Sequence, residues 1–313
     1  MGVAFVFPGQ GAQTIGMGRD LAETYPSAMA VFDEIDDALE EKLSTLIWDG
    51  KQETLTLTEN AQPALMATSI AALRALEAEG VAVTTTAYVA GHSLGEYSAL
   101  AASGAISVAD TARLLRRRGR AMQEAVPVGE GAMAAILGLD IETVTAVADE
   151  AAQGDVCAAA NDNDPAQVVV SGHKAAVERA TVIAKDKGAK RALLLPVSAP
   201  FHCSLMEPAA RAMAQALSHV EIIDPSIPMV SNVLARPCSS SSTIVSLLVE
   251  QVTHSVRWRE SVAWMVEEGG VKSFVEIGAG KALSGMIRRI SKGVETRAVG
   301  TADDVRAAAA ALT

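Results

Sequence analysis

A serine enclosed by glycines, in Gly91-His92-Ser93-Leu94-Gly95, is the feature that most constrains how this 313-residue chain folds. The apolar residues 87–90 before it are typical of a buried strand, and the Ala- and Leu-rich residues after it favour a helix. A strand, a tight turn and a helix in this order form a nucleophile elbow, in which the serine hydroxyl projects out of a parallel α/β sheet. The helix N-terminus behind the serine favours developing negative charge.

A second predicted strand, residues 3–7, also ends in a glycine-containing loop, Pro8-Gly9-Gln10-Gly11. Because loops at the carboxyl ends of neighbouring parallel strands meet over one crevice, we expect backbone N–H groups near Gln10 to face Ser93. Together with the N–H of Leu94, such a group would form an oxyanion hole. The alternative for this loop is an ordinary strand-ending turn.

A nucleophilic serine needs a base that accepts its proton, and histidine is the usual base near neutral pH. Of the five histidines, His202 is the best candidate, because it ends an extended loop, residues 198–202, after a predicted strand. His92 lies inside the elbow and must point away from Ser93, and the other three lie on predicted helix or loop surfaces. A structural role is the alternative for any single histidine.

A predicted helix over residues 110–125 carries arginines on both of its faces. Those on one side are Arg113, Arg116, Arg117 and Arg120. Arg118 instead lies on the apolar face with Leu114 and Leu115, where an unpaired guanidinium is costly. Its expected partner is a carboxylate, either an internal Asp or Glu or a substrate carboxylate held bidentately.

Residues 127–198 predict a smaller unit inserted in the chain. Strands are predicted at residues 132–139, 156–160, 167–171 and 191–197, and helices at residues 141–152 and 175–187. This β-α-β-β-α-β order is the ferredoxin-like signature. We therefore predict an α/β protein with a large α/β-hydrolase-like domain, residues 1–126 and 199–313, that has a parallel sheet and carries a ferredoxin-like α+β lobe. His202 would then lie in the crevice between the two.

Three later segments have weaker signals. Residues 229–230 predict a short strand, and the polar residues 237–243 predict a mobile surface turn. Gly278-Ala279-Gly280-Lys281 superficially resembles a phosphate-binding loop, but its spacing does not fit the GxxxxGK pattern. We interpret it as a strand-to-helix turn.

Charge and composition exclude several classes of protein. The net charge of −11 argues against a nucleic-acid partner. No apolar stretch approaches the roughly 18 residues of a membrane span, and no basic segment precedes the first apolar run, so neither a membrane anchor nor a secretion signal is expected. Cys157, Cys203 and Cys238 have no metal-binding spacing and cannot all pair, which favours the reducing cytoplasm.

Taken together, the motifs carry a family resemblance. They are Phe7-Pro8-Gly9-Gln10-Gly11, Gly91-His92-Ser93-Leu94-Gly95-Glu96-Tyr97, Arg118-Gly119, Met122-Gln123, Asn161 with Asn163, Pro200-Phe201-His202 and Glu250-Gln251-Val252. In order and spacing the chain resembles, over essentially its whole length, the malonyl-CoA:acyl carrier protein transacylases of bacterial fatty acid synthesis. The same motifs mark the acyltransferase domains of polyketide synthases.

The resemblance implies a role for each matching residue. Ser93 would be the acylated nucleophile and His202 its base, with the N–H groups of Gln10 and Leu94 as the oxyanion hole. The main-chain carbonyl of Gln251 would orient the histidine, in place of the Asp of a classical triad. The substrate-binding residues would be Arg118 for the malonyl carboxylate, Asn161 and Asn163 from the second lobe, and Phe201 as in malonyl-using members. The departures, Cys203 and His254-Ser255-Val256, touch no catalytic position.

The implied reaction is ping-pong malonyl transfer from malonyl-CoA to the phosphopantetheine thiol of holo acyl carrier protein, without a metal or organic cofactor. A serine esterase or thioesterase is the alternative enzyme, although a neutral acyl chain would not need Arg118. A catalytically idle carrier-binding subunit is the non-enzymatic alternative. Carrier proteins of this pathway are typically acidic, so a local basic patch is expected to dock them. The candidates are Lys185, Lys187, Lys190, Arg191, Arg288, Arg289 and Lys292, which otherwise are solvated helix ends.

Overall fold

The computed structural model describes residues 2–197 and 199–312. Ser198, where the inserted lobe was predicted to end, lies outside the described residues. The strands are β1 (Gly2–Phe7), β2 (Tyr88–Gly91), β3 (Gly131–Leu137), β4 (Cys157–Asp164), β5 (Gln167–His173), β6 (Arg191–Leu194), β7 (Met229–Val230), β8 (Pro237–Cys238), β9 (Val271–Ile277) and β10 (Glu295–Val299).

Helices account for most of the remaining chain. They are α1 (Arg19–Thr24), α2 (Pro26–Leu39), α3 (Leu43–Asp49), α4 (Gln52–Thr56), α5 (Thr58–Ala78), α6 (Leu94–Ala102), α7 (Val108–Glu124), α8 (Ile141–Ala152), α9 (Lys174–Asp186), α10 (Glu207–Leu217), α11 (Ser241–Glu250), α12 (Trp258–Glu267), α13 (Ala282–Ile290) and α14 (Ala302–Leu312). Within the described residues, no helix is long and apolar enough to cross a membrane.

The larger sheet has the strand order β10-β9-β1-β2-β7-β8, and all its pairings are parallel except that of β7 with β8. Strand β1 lies beside β2, with Phe7 paired to Gly91. The loop that contains Gln10 and the turn that contains Ser93 therefore leave neighbouring strands at the same edge of the sheet. This confirms the predicted parallel α/β architecture.

The smaller sheet has the strand order β4-β5-β3-β6, and its pairings are antiparallel. Helices α8 and α9 cover one face, where apolar side chains such as Val144, Val147 and Val177 form a separate core. Strands, helices and order match the predicted ferredoxin-like lobe, and the fold class is confirmed. The described elements of this lobe extend from Gly131 to Leu194.

Two strands of the smaller lobe differ in length from the prediction. Strand β6 ends at Leu194 rather than at residue 197, because Pro196 has no N–H to continue the pairing with β3. Strand β4 continues to Asp164 rather than ending at residue 160. Its last four residues, Asn161-Asp162-Asn163-Asp164, are polar, and the last three have side-chain partners in the large lobe, so the apolar pattern alone could not show that they are buried.

These polar residues of β4 bind the two lobes together. Arg259 of α12 lies 2.9 Å from the carboxylate of Asp162, and Arg289 of α13 lies 2.8 Å from that of Asp164. Both carboxylates are almost fully buried, so the two ion pairs are partly shielded from water. The orientation of the smaller lobe over the larger sheet is thus fixed by specific contacts.

Of the three later segments, two have the predicted structure and one does not. The short strand at residues 229–230 is confirmed as β7. The expected mobile turn at residues 237–243 is wrong: Pro237 and Cys238 form β8, and α11 begins at Ser241. Residues 278–281 form the strand-to-helix turn between β9 and α13, where the buried carboxylate of Glu276 accepts hydrogen bonds from the first N–H groups of α13.

Candidate active site

Ser93 adopts the strained backbone conformation of a nucleophile elbow, with φ 53° and ψ −109°. A non-glycine residue at such angles costs about 1–3 kcal/mol and persists only where its surroundings enforce it. The side chain of Asn232 does so: its Oδ1 accepts a hydrogen bond from the Ser93 N–H at 2.8 Å, and its Nδ2 donates to the Gly91 carbonyl oxygen at 2.6 Å. One amide thus connects both sides of the turn.

The glycines of the elbow are required by the closeness of neighbouring backbone. A Cβ atom on Gly91 would lie 1.9 Å from the carbonyl carbon of Gly95, and one on Gly95 would lie 2.2 Å from the Phe7 carbonyl oxygen. Neither space admits a methyl group, since real Cβ contacts are essentially never shorter than 3.0 Å. The elbow therefore packs directly on the end of β1.

Ser93, His202 and Gln251 form a continuous hydrogen-bond chain. The Ser93 Oγ lies 2.8 Å from Nε2 of His202, and the His202 Nδ1 lies 2.9 Å from the backbone oxygen of Gln251. A carbonyl oxygen can only accept, so Nδ1 carries the proton and Nε2 is free to accept one from the serine. Burial, with a further contribution from the positive charge of Arg118, lowers the pKa of His202 to about 3. The imidazole is therefore neutral near pH 7.

Two backbone N–H groups are available beside the serine hydroxyl. Leu94 is the first residue of α6, and Gln10 lies in the loop after β1. Within residues 2–197 and 199–312, no oxygen accepts a hydrogen bond from the N–H of either residue. Both residues line the same cavity as Ser93, so these donors can meet an oxyanion formed there.

Arg118 is a buried cation that points at the nucleophile. Only 1% of its surface is exposed, and its Nη2 lies 3.1 Å from the Ser93 Oγ. Its other partners are amide oxygens, the Oε1 atoms of Gln62 and Gln251, each at 2.8 Å. Its guanidinium also lies 5.6 Å from the centre of the Tyr97 ring.

The sequence left open whether an internal or a substrate carboxylate pairs with Arg118. In the part of the chain that the structure describes, no Asp or Glu oxygen lies within 4.0 Å of its guanidinium. Burial consequently lowers the pKa of Arg118 from its usual value. The site thus presents an incompletely neutralised cation to whatever enters it.

These groups line a cavity of about 360 Å³ between the two lobes. Its lining comprises Gln10, Gly11, Gln13, Thr56, Gln62, His92, Ser93, Leu94, Arg118, Met122, Met133, Asn161, Leu195, Pro196, Val197, Phe201 and His202. The large lobe supplies the nucleophile, the base and the cation, whereas Met133, Asn161 and the segment after β6 come from the small lobe. Nine of these seventeen residues are polar, but most of the exposed area of the lining is apolar, as expected of a small-molecule site.

The two predicted asparagines are equally buried but have different surroundings. Asn161 lines the cavity, whereas the Oδ1 of Asn163 lies 2.8 Å from Nε2 of His92, so that His92 points away from Ser93 towards the small lobe. Phe201 is 8% exposed and lines the cavity. The remaining histidines, His173, His219 and His254, are outside this cavity.

Three residues of the site were not found from the sequence. Asn232 holds the elbow, Gln62 binds Arg118, and Glu96 binds Gln251 through a 2.5 Å contact between its Oε2 and the amide Nε2. The position of Asn232, two residues after the predicted strand at 229–230, was a usable signal for a residue at the carboxyl edge of the sheet. Gln62 lies in the second turn of α5, where only tertiary contacts reveal its role.

Known proteins match this chain over almost its whole length. The model of the acyl transferase domain family matches residues 4–309. The malonyl CoA-acyl carrier protein transacylase of Bacillus subtilis is 48% identical over 307 residues, covering 98% of this chain and 96% of the relative. That of Escherichia coli K12 is 46% identical over 309 residues, covering 99% and 98%.

Solved structures agree with these matches. The acyl-carrier-protein-S-malonyltransferase of Bartonella henselae superimposes with a TM-score of 0.97 at 54% identity, covering 100% of this chain and 99% of the other. A malonyl transacylase in complex with its type II PKS acyl-carrier protein gives 0.96 at 42% identity, covering 99% and 100%.

Proposed function

The chain belongs to the acyl transferase family, and we propose that it transfers the malonyl group from malonyl-CoA to acyl carrier protein, supplying chain-extension units for fatty acid synthesis. The observation that carries this proposal is Arg118, a buried guanidinium 3.1 Å from the Ser93 Oγ. A donor with a free carboxylate would supply the direct ion-pair partner that no described Asp or Glu places within 4.0 Å of this guanidinium.

In the first half-reaction, the Ser93 Oγ attacks the thioester carbonyl of malonyl-CoA while Nε2 of His202 accepts its proton. The 2.8 Å distance between these atoms suits direct transfer. The N–H groups of Gln10 and Leu94 stabilise the oxyanion of the tetrahedral intermediate. When that intermediate collapses, the C–S bond breaks, the CoA sulfur takes the proton from His202, and malonyl-Ser93 remains.

In the second half-reaction, the phosphopantetheine thiol of holo acyl carrier protein gives its proton to His202 and attacks malonyl-Ser93. The ester bond breaks, the proton returns to the Ser93 Oγ, and malonyl carrier protein leaves. The backbone oxygen of Gln251 keeps the His202 ring oriented in both halves. Asn161 and Phe201 line the site around the malonyl group, and Asn163 supports it by holding the His92 ring. Neither step requires a metal or an organic cofactor.

We propose that the carrier docks on local cations despite the net charge of −11. Of the candidates, Lys187 pairs with Glu150 and Arg289 pairs with Asp164. Lys190 and Arg191 are exposed, with no ion-pair partner among the described residues. The segment from Arg191 to the cavity-lining residues 195–197 is short, so these cations lie within about 20 Å of the cavity.

Charge reversal tests this docking. Lys190→Glu/Arg191→Glu should raise the KM for carrier protein much more than the KM for malonyl-CoA, because only the carrier covers the outer surface. Lys272→Glu is the matched control, since Lys272 is exposed near the amino end of β9, at the opposite edge of the sheet from Ser93. Equal effects on both substrates would reject docking at this patch.

The proposal also covers the domain boundaries, the cellular compartment and the class of partner. We place the inserted lobe at residues 127–198 and the large domain at residues 1–126 and 199–313, because the four-stranded sheet lies between Gly131 and Leu194. The three free cysteines fit a reducing cytoplasm, and the acidic surface charge disfavours nucleic acid as a partner.

Acylation of Ser93 tests the function directly. Incubation with malonyl-CoA should add one malonyl group, located by peptide mass spectrometry on the segment that contains Ser93, and Ser93→Ala should add none. Persistence of the acyl-enzyme in water, with discharge on addition of holo carrier protein, distinguishes a transferase from an esterase. A label that remains in Ser93→Ala, or rapid release in water alone, contradicts the proposal.

A further inference from the structure

Glu96 is a buried carboxyl group beside the nucleophile that the proposed reaction does not use. It lies in the first turn of α6, three residues after Ser93, and none of its surface is exposed. A buried carboxyl group is costly unless its hydrogen bonds return the lost hydration energy. Its presence next to the site therefore calls for a specific function.

The carboxyl group of Glu96 is bound by the side chain of Gln251, and hydrogen bonds from the Asn232 backbone and the Ser231 side chain also act on it. The Nε2 of Gln251 donates to the Oε2 of Glu96 at 2.5 Å and to the backbone oxygen of Ser93 at 2.9 Å. The Oε1 of the same amide accepts from the Nη2 of Arg118 at 2.8 Å. Both ends of the amide are thus occupied, with two acceptors on the nitrogen and a cation on the oxygen.

Glu96 determines which way round this amide lies. In its ionised form, Glu96 accepts hydrogen bonds and cannot donate them, so it binds the NH₂ end of the Gln251 amide and leaves the amide oxygen for Arg118. If the amide were reversed, its NH₂ group would face the guanidinium and its oxygen would face the carboxylate, and both contacts would be repulsive. The same guanidinium contacts the Ser93 Oγ at 3.1 Å, so the amide orientation affects where the cation lies relative to the nucleophile.

We propose that Glu96 is a positioning residue for donor selection: it fixes the Gln251 amide, which in turn holds the Arg118 guanidinium in place for the carboxylate of the acyl donor. This inference rests on the proposed function. The orientation of the base does not depend on this side-chain amide, because His202 is hydrogen-bonded to the backbone oxygen of Gln251. Loss of Glu96 should therefore weaken recognition of malonyl-CoA while leaving proton transfer intact.

The test compares kcat/KM for malonyl-CoA and acetyl-CoA in the wild type, Glu96→Gln, Gln251→Met and the double variant, at about pH 8, where Glu96 is mostly ionised because its pKa is about 7. Glu96→Gln keeps the volume of the side chain but can present either end to Gln251, and it should lower the malonyl-to-acetyl ratio about tenfold, mainly through the KM for malonyl-CoA. Acetyl transfer should change by less than about twofold. In the Gln251→Met background, the second substitution should leave the ratio unchanged within about twofold, because the connecting amide is already absent.

Ser98→Ala is the matched control, since Ser98 is an equally buried polar residue of α6 and has no hydrogen-bond partner in the described part of the chain. It should leave the ratio unchanged. If Glu96→Gln fails to fold, Glu96→Met removes both acceptors at similar volume and should lower the ratio at least as much. An unchanged ratio, an equal loss for both donors, or a loss that persists in the Gln251→Met background would overturn the proposal.

These outcomes are separable from failure of the proposed function. If malonyl-CoA does not acylate wild-type Ser93, the function itself is wrong. If the wild type is acylated and the donor ratio does not respond to Glu96→Gln, only the role of Glu96 is wrong.

Discussion

The Nδ1–H group of His202 donates a hydrogen bond to the backbone oxygen of Gln251 at 2.9 Å, in the position where many serine enzymes have a carboxylate. A carbonyl oxygen fixes the ring and its tautomer as a carboxylate does, but it carries no full negative charge to stabilise an imidazolium. Burial and the charge of Arg118 act in the same direction and lower the His202 pKa to about 3. The structure thus favours a neutral base that holds a proton only briefly.

His202→Ala should slow acylation of Ser93 by about 10²- to 10⁴-fold, the usual loss for a general base. The donor-binding residues do not depend on the imidazole, so the KM for malonyl-CoA should change little. The measurement is single-turnover acylation by rapid-quench mass spectrometry. His254→Ala is the control, because His254 is exposed and hydrogen-bonds within its own turn. A similar loss in both variants would identify His202 as structural only.

Glu96 should make the protein less stable at alkaline pH. Burial raises its pKa from 4.5 to about 7, against the opposing hydrogen bond from Gln251. A carboxyl group with a raised pKa in the folded state contributes stability that is fully present below about 4.5 and is lost as the pH rises to about 7. Glu96→Gln should therefore raise the Tm at pH 8 and have a smaller effect at pH 5.5.

Differential scanning calorimetry of the wild type and Glu96→Gln at both pH values measures this difference. Other titrating groups are common to the two proteins, so their contributions cancel in the comparison. A Tm that falls equally at both pH values would show that the carboxylate stabilises the fold as an anion.

The parts of the site found from the sequence are those with local signals. The elbow, the loop at Gln10 and the ferredoxin-like lobe each follow from spacing and periodicity within a few tens of residues. Arg118 was found because a charge on an apolar helix face is locally anomalous. The parallel pairing of β1 with β2, which brings Gln10 near Ser93, followed from the general rule for α/β sheets.

The parts that were missed depend on distant contacts between ordinary polar residues. Asn232 lies 139 positions from Ser93, and Gln251 lies 155 positions from Glu96, so no local pattern connects either pair. The continuation of β4 to Asp164 was missed for a related reason. Its carboxylates are buried where Arg259 and Arg289 of the other lobe pair with them, and these arginines are distant in sequence.

Asn232 should be essential for the geometry of the elbow. Asn232→Ala removes the acceptor of the Ser93 N–H and the donor to the Gly91 carbonyl, leaving two buried backbone groups unpaired at about 1–3 kcal/mol each. We expect a lower Tm and a loss of acylation rate of about tenfold or more, because the strained φ of Ser93 is no longer enforced.

Asn232→Asp separates the two contacts, since it keeps the acceptor for Ser93 and loses the donor to Gly91. It should retain more acylation activity than Asn232→Ala at a comparable Tm. If both variants lose activity only in proportion to their loss of folded protein, measured by circular dichroism, Asn232 does not act on the nucleophile.

Arg118 should select donors that have a free carboxylate. Removing one partner of a buried ion pair costs about 3–5 kcal/mol, so Arg118→Ala should depress malonyl transfer by about two to four orders of magnitude. Acetyl-CoA has no carboxylate to leave unpaired, and its kcat/KM should fall much less. Arg117→Ala is the matched control, because the neighbouring Arg117 is exposed and its guanidinium donates a hydrogen bond to Gln215, outside the site. If the ratio of kcat/KM for the two donors is unchanged in Arg118→Ala while both rates fall together, the guanidinium supports the amides of Gln62 and Gln251 and does not read the substrate.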